Sequence, residues 1–210
     1  KTFRSELVRL IDETDLNAVV IDIKDYTGEL LAGDRAPDIK DFVKFLHDKG
    51  IYVAGRVSAF QDLKMTMKRP DLAVRRSSDG EVWRDRKGIS WLDPGSSEVW
   101  DYLVDIGRQY YELGFDELNF DYIRFPSDGN MSDIAYNFYD AKTTSKSDLM
   151  REFYSYLYEK LASTTEARPV LSADLFGMTT TNTDDLNIGQ ILENAIPYFD
   201  YIMPMVYPSH

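Results

Sequence analysis

Five short apolar runs rich in Val, Ile and Phe, at residues 18–23, 51–57, 115–123, 170–176 and 198–206, alternate with stretches of helical spacing at 3–14, 37–49, 98–113, 147–163 and 188–195. Such alternation predicts parallel strands joined by right-handed crossovers and covered by helices. Two main solutions remain, the closed eight-stranded barrel and the open doubly wound sheet. Pro37 suits a first helical turn, while Gly50 and Gly114 stand where helices commonly stop. No glycine-rich phosphate fingerprint follows any run, and residues 28–33 lack the spacing that opens a dinucleotide-binding helix, so a Rossmann reading loses ground.

The barrel gains from the way the runs end. Read by twos, Asp22 and Lys24 share a face, as do Arg56 and Ser58, Asn119 and Asp121, Ser172 and Asp174, and Met203, Met205 and Tyr207. Charge therefore collects at the carboxyl ends, which in a (β/α) barrel form the active-site face. The long segment 60–96 becomes one of that face's loops. Its Trp83, Arg84, Asp85, Arg86, Trp91 and Asp93 suit either a sugar-binding rim or a folded excursion with buried tryptophan.

Two carboxylates stand out. Asp121 ends a run in NFDYIRFP, residues 119–126, with Arg124 just beyond it. An arginine beside a carboxylate favours the charged form that a nucleophile or base needs; the alternative is a structural Asp–Arg pair. Asp174 is the next run's terminal carboxylate, and desolvation by Leu175 and Phe176 would raise its pKa as a general acid requires. One ionised and one protonated carboxyl on adjacent strands is the division of labour of glycosidic cleavage. Asp22, Lys24, Asp25 and Arg56 are expected either to bind sugar hydroxyls or to close a salt-bridge network, and Tyr207 to stack on a sugar ring. His47 reads as a surface residue, and His210 as a solvated one near the end of the sequence.

Composition sets outer limits. With 43% hydrophobic and 29% charged residues the chain has the core content of a globular domain, read as one domain over residues 1–210. A net charge of −12 argues against nucleic acid and anionic membranes and towards a neutral or cationic partner. The absence of cysteine removes disulfides and thiolate metal sites, and no apolar run is long enough to span a bilayer. No cofactor is expected. Only an oxygen-ligand calcium or magnesium site would suit the residues, and no essential metal is expected. No signal peptide opens the sequence, so any export signal is expected outside it and the compartment stays open, an extracellular or cell-envelope setting included.

Taken together, NAVVIDIKD at 17–25, GIYVAGR at 50–56, WRD at 83–85, WLDP at 91–94, FDYIRFP at 120–126, SADLFG at 172–177 and MPMVYPSH at 203–210 resemble a family of bacterial and archaeal TIM-barrel domains regarded as glycoside hydrolases and close in pattern to alpha-amylase-like barrels. The resemblance covers nearly the whole chain. It implies an α/β fold of (β/α)8 TIM-barrel type in which Asp121 ends the fourth barrel strand, where the nucleophile sits, and Asp174 the fifth, where the acid sits. The usual acid there is Glu, one methylene longer. About strands two to six have counterparts here, so the barrel is expected to be incomplete at both ends, with open edges that a homodimer would cover. Two functions compete: hydrolysis of a poly- or oligosaccharide by Asp121 and Asp174, with Asp22, Lys24, Arg56, Trp91, Arg124 and Tyr207 holding the carbohydrate, and non-catalytic carbohydrate binding on the same barrel. Another barrel hydrolase such as a deacetylase is a third reading, disfavoured in its metal-dependent forms by the two histidines.

Overall fold

The computed structural model describes residues 2–33, 35–162 and 168–207, with side chains from residue 4 onward within those spans. In chain order the elements are α1 (Thr2–Asp12), β1 (Ala18–Lys24), α2 (Ile39–Asp48), β2 (Tyr52–Ser58), α3 (Leu63–Lys68), β3 (Arg75–Arg76), α4 (Ser97–Glu112), β4 (Glu117–Asp121), β5 (Ile134–Ala135), α5 (Lys146–Leu161), β6 (Val170–Phe176), α6 (Leu192–Ala195) and β7 (Tyr201–Met205).

The main sheet has the order β1-β2-β4-β6-β7, and every neighbouring pair is parallel. Each new strand is added on the same side of the last. A doubly wound sheet reverses direction at a switch point, whereas an arc of a (β/α) barrel advances monotonically, so the strand order decides what hydrophobic periodicity left open. The arc is not closed: β1 and β7 do not pair among the described residues. Their inward side chains show it, with Val20 62% and Tyr201 57% exposed. The carboxyl end of β1 is partly covered, because Leu30 bridges Lys24 and Leu31 N donates to Ile23 O at 2.9 Å.

The helices form where the sequence supplies an apolar stripe and a cap. In α2, Ile39, Val43 and Leu46 recur at i, i+4 and i+7 and are all buried. Ser96 and Ser145 cap α4 and α5 by accepting from Val99 N and Asp148 N. Gly50 and Gly114 follow α2 and α4 at φ +76° and +103°, a left-handed conformation that glycine adopts without a Cβ penalty. Pro37 lies just ahead of α2 rather than inside its first turn. The α4 and α5 helices pack together over the sheet, and α5 buries Phe153 and Tyr154. Burying such a side chain contributes about 1.5–3 kcal/mol, and Phe153→Ala would cost about 3–5 kcal/mol.

The loops after β2 and β4 form one unit. The two-residue strands β3 and β5 pair antiparallel across them. Asp93 accepts from the backbone N–H of Asn137 and Phe138, at 2.7 and 2.9 Å, and Trp83 Nε1 donates to Asn130 O at 3.0 Å. Trp83 and Trp91 are buried, so segment 60–96 is a folded excursion with tryptophan at its core and not an exposed aromatic rim.

Candidate active site

Strand register builds the site. Asp22 pairs with Arg56, Arg56 with Asn119 and Asn119 with Ser172, so these four form one row across the concave face. Asp121 and Asp174 lie two residues further on, at the carboxyl ends of neighbouring strands. The Arg56 guanidinium is the hub. Its Nη1 donates to Asp22 Oδ1 at 2.7 Å, its Nη2 contacts Asp121 Oδ2, and its Nε lies 3.8 Å from Asp174 Oδ2. Burial works against the charge on Arg56, but the carboxylates of Asp121 and Asp22 outweigh it and hold its pKa above the usual value. Asp121 also accepts from the backbone N–H of Tyr122 at 2.6 Å.

Asp174 is held differently. Its side chain is 16% exposed, and Asn119 Nδ2 donates to its Oδ1 at 3.1 Å and to Ser172 Oγ at 3.0 Å. Burial pushes the Asp174 carboxyl from its ordinary 3.8 up to about 6; Asn119 and Arg56 oppose this and the charge on Asp121 assists it. The expected source of desolvation is corrected in part, since Phe176 shares the face of Asp174 and Leu175 does not. Leu175 alternates to the opposite face of β6, and the neighbours on the face of Asp174 are Asn119 and, in register on β7, Met203.

Tyr122 has a left-handed backbone, φ +53°, directly after Asp121. For an aromatic residue this conformation is strained, by about 1–3 kcal/mol, and such outliers cluster at functional sites. It also corrects the place expected for Arg124. Past this turn the Arg124 side chain leaves Asp121, donates to Phe125 O and Ser127 Oγ, and lies over the rings of Trp91, Tyr122 and Phe176. Arg56, from a different strand, is the arginine at Asp121.

Two further expectations are corrected. Lys24 does not share a face with Asp22. A β-bulge between them puts Lys24 in register with Val57, and its ammonium is fully buried against Asp62 Oδ2 at 3.0 Å and the carbonyls of Ser58 and Gln61. Burial lowers its pKa against the pull of Asp62, and no face of it is open to a ligand. Trp91 is likewise sealed: its Nε1 donates to Asp85 Oδ2 at 3.2 Å and its ring meets Tyr122 edge-on. His47 is half-exposed, with Nε2 2.9 Å from Asp116 Oδ2, and His210 lies outside the described residues.

Two grooves meet at Tyr122. One, of about 530 Å3, is lined by Asp22, Asp25, Tyr26, Arg56, Lys87 and Tyr122 among others. The other, of about 690 Å3, holds Asp121, Arg124, Phe176, Thr181 and the exposed Tyr207. Sequence reasoning did not assign roles to Asn119 or Tyr122. Asn119, two residues before Asp121 on one face, had a readable signal in that spacing; the left-handed Tyr122 had none. The described residues hold no group of three or more His, Cys, Asp or Glu placed to share a metal ion, and no described helix is long and apolar enough to cross a membrane.

A monotonic arc of parallel strands with carboxylates and an arginine gathered at its carboxyl ends is the framework of the TIM-barrel glycoside hydrolases. The chain belongs to the family described as "Putative glycosyl hydrolase domain", whose profile it matches over residues 1–210. It is 31% identical to a hypothetical protein of Ruminiclostridium thermocellum of known structure, with a TM-score of 0.69, covering 88% of this chain and 91% of that one. The α-galactosidase of Thermus thermophilus matches at 21% identity and TM-score 0.56 over 80% of this chain and 34% of its own. The maltogenic α-amylase AmyB of Thermotoga neapolitana matches at 17% and 0.57 over 96% and 43%. These two likenesses show the fold, and the chain spans under half the length of either enzyme. No curated protein sequence matches the chain.

Proposed function

We propose that this domain hydrolyses glycosidic bonds, with Asp174 as the general acid and Asp121 as the nucleophile or base. The observation that carries the reading is the pair of carboxyls on adjacent strands, both at the Arg56 guanidinium, of which Asp174 keeps its proton up to about pH 6. That is the asymmetry the reaction needs. Asp121 accepts from two donors, Arg56 and the Tyr122 N–H, and so presents acceptor oxygens to the anomeric carbon or to a water. Asp174 delivers its proton to the glycosidic oxygen as the C–O bond breaks. Water then supplies hydroxide to the anomeric carbon and returns a proton to the carboxyl pair. Asp22 and Arg56 on one side, and Arg124 and Tyr207 on the other, line the grooves that receive the sugars.

The test is release of reducing ends from a glycan panel headed by α-galactosides and α-glucans, the substrates of the structurally similar enzymes. Wild-type turnover with none from Asp121→Asn supports the reading; equal turnover by both proteins overturns it. The close Arg56–Asp121 contact favours a second reading, a binding module in which that carboxylate is permanently neutralised. Glycan binding by calorimetry without any released reducing end would establish that alternative.

A further inference from the structure

The wall of the larger groove contains a cation with no counter-ion at contact distance among the described residues. Arg124 is 8% exposed and lies 5.0 Å from the ring centre of Trp91, 5.4 Å from Tyr122 and 4.9 Å from Phe176. Its Nη1 donates to Phe125 O at 2.9 Å and Ser127 Oγ at 3.1 Å. Asp121, Asp128 and Asp85 act on it through space, but no carboxylate among the described residues reaches ion-pair distance. Two of the three are already engaged: Asp121 by Arg56 and the Tyr122 N–H, and Asp85 by Trp91 Nε1 and the N–H groups of Lys87 and Ile89. Desolvating a guanidinium this far is costly unless something answers its charge.

The direction in which it is unsatisfied can be read from the donors. Among the described residues, Nε and Nη2 of Arg124 have no hydrogen-bond partner. Every wholly buried side-chain nitrogen or oxygen among the described residues has a partner. These two nitrogens therefore reach open space, and the open space that Arg124 lines is the groove that also holds Asp121. Adjacent Nε–H and Nη2–H groups form the planar fork that engages an oxyanion through two parallel hydrogen bonds, and the surrounding rings keep the fork from turning.

We infer that Arg124 forms a subsite for an oxyanion carried by the glycan, either a uronate carboxylate or a sulfate ester, beside Asp121. The substrate class is thus an acidic poly- or oligosaccharide. The net charge of −12 does not prevent this, because charges beyond about 8 Å are screened at physiological salt and the fork acts at contact distance. The inference rests on the hydrolase reading for its setting, yet it is tested by binding alone.

The experiment is calorimetric titration of the full chain with oligogalacturonate and oligoglucuronate, each against its methyl ester, and with sulfated galactan oligosaccharides against their desulfated forms. The expected result is that at least one acidic probe binds about tenfold or more tightly than its neutral counterpart. Arg124→Gln and Arg124→Lys should both reduce that preference to within about twofold, the lysine because it keeps the charge but loses the fork. Preference for the carboxylate or for the sulfate arm identifies the source of the oxyanion. Equal binding of acid and neutral forms by the wild-type chain, no binding of any acidic probe at millimolar concentration, or a preference that survives both substitutions in folded protein would overturn the inference. Arg124-dependent binding without any released reducing end would leave the subsite standing and remove the hydrolase reading. Turnover of neutral glycans by the wild-type chain, with no acidic probe preferred over its neutral counterpart, would do the reverse.

Discussion

Two clusters of opposite charge stand at the ends of neighbouring strands, and they are built to opposite specifications. The Lys24–Asp62 pair is closed. Both side chains are fully buried, Lys24 donates to the carbonyls of Ser58, Ala59 and Gln61, and Asp62 also caps α3 at Met65 N and accepts from Tyr102 Oη at 3.1 Å. The Arg56 cluster is open and unbalanced. One guanidinium faces Asp22, Asp121 and Asp174, the Asp22 side chain is 59% exposed, and the Asp174 carboxyl is displaced upward to about 6. Both clusters look alike as residue types. A sealed, neutralised pair holds a loop in place, whereas surplus carboxylate around one guanidinium leaves a proton to exchange.

If this contrast is sound, the largest effect belongs to the open cluster. Asp121→Asn should lower reducing-end release by about 10²–10⁴-fold or more with an unchanged circular dichroism spectrum and melting temperature. Asp174→Asn should lower the rate comparably on natural glycosides but retain much of it on aryl glycosides, whose leaving group needs no proton. Equal losses on both substrates would remove Asp174 from the acid role.

Breaking the closed cluster should instead be read in stability. Lys24→Met leaves the Asp62 carboxylate buried without its cation, at a cost of about 3–5 kcal/mol in urea unfolding, while turnover per folded molecule stays near wild type. A Lys24 variant of normal stability and lost activity would reverse the assignment of the two clusters.

The pH dependence sharpens the contrast at smaller scale. The folded pKa of Asp174, about 6, lies above its unfolded value near 3.8, so the folded chain binds more protons between those limits. The stability associated with the protonated carboxyl is fully present below about pH 4 and is lost as pH rises through 6. Asp174→Asn should remove that slope and be about 1–2 kcal/mol more stable than wild type at pH 8, after allowance for partial solvent exposure. Activity should have its alkaline limb near the same pH of about 6, and a limb well above 8 would count against the assignment. The smallest change is Asp22→Asn, expected within about 0.5 kcal/mol in stability because the side chain is exposed, with its effect in KM rather than kcat.

Much of this architecture is legible in the residues. The strand expected over 170–176 is β6 to the residue, and α4 and α5 fall within two residues of the expected helices. Their apolar stripes and cap residues are local signals. The candidate site was legible in part: Asp121, Asp174, Arg56 and Asp22 do converge, because the period of two and the parallel register place strand ends side by side. Lys24 was not, because a bulge breaks that period without marking the sequence. Nor were the two-residue strands β3 and β5, whose pairing joins loops some sixty residues apart and leaves too short a pattern to read. Trp83 and Trp91 carry the same composition whether they form a rim or a core, and only packing separates the two.

By itself, then, the sequence determined the alternating layers, the helix ends and the polar character of one end of the sheet, because hydrophobic period, capping and glycine conformation act over a few residues. Only the tertiary structure decided that the strands advance as an open arc, that Arg56 and not Arg124 reaches Asp121, that Lys24 is sealed, and that Arg124 packs among three rings in the wall of a groove. Those outcomes depend on strand order, register shifts and burial, which are set by contacts between segments far apart in the chain.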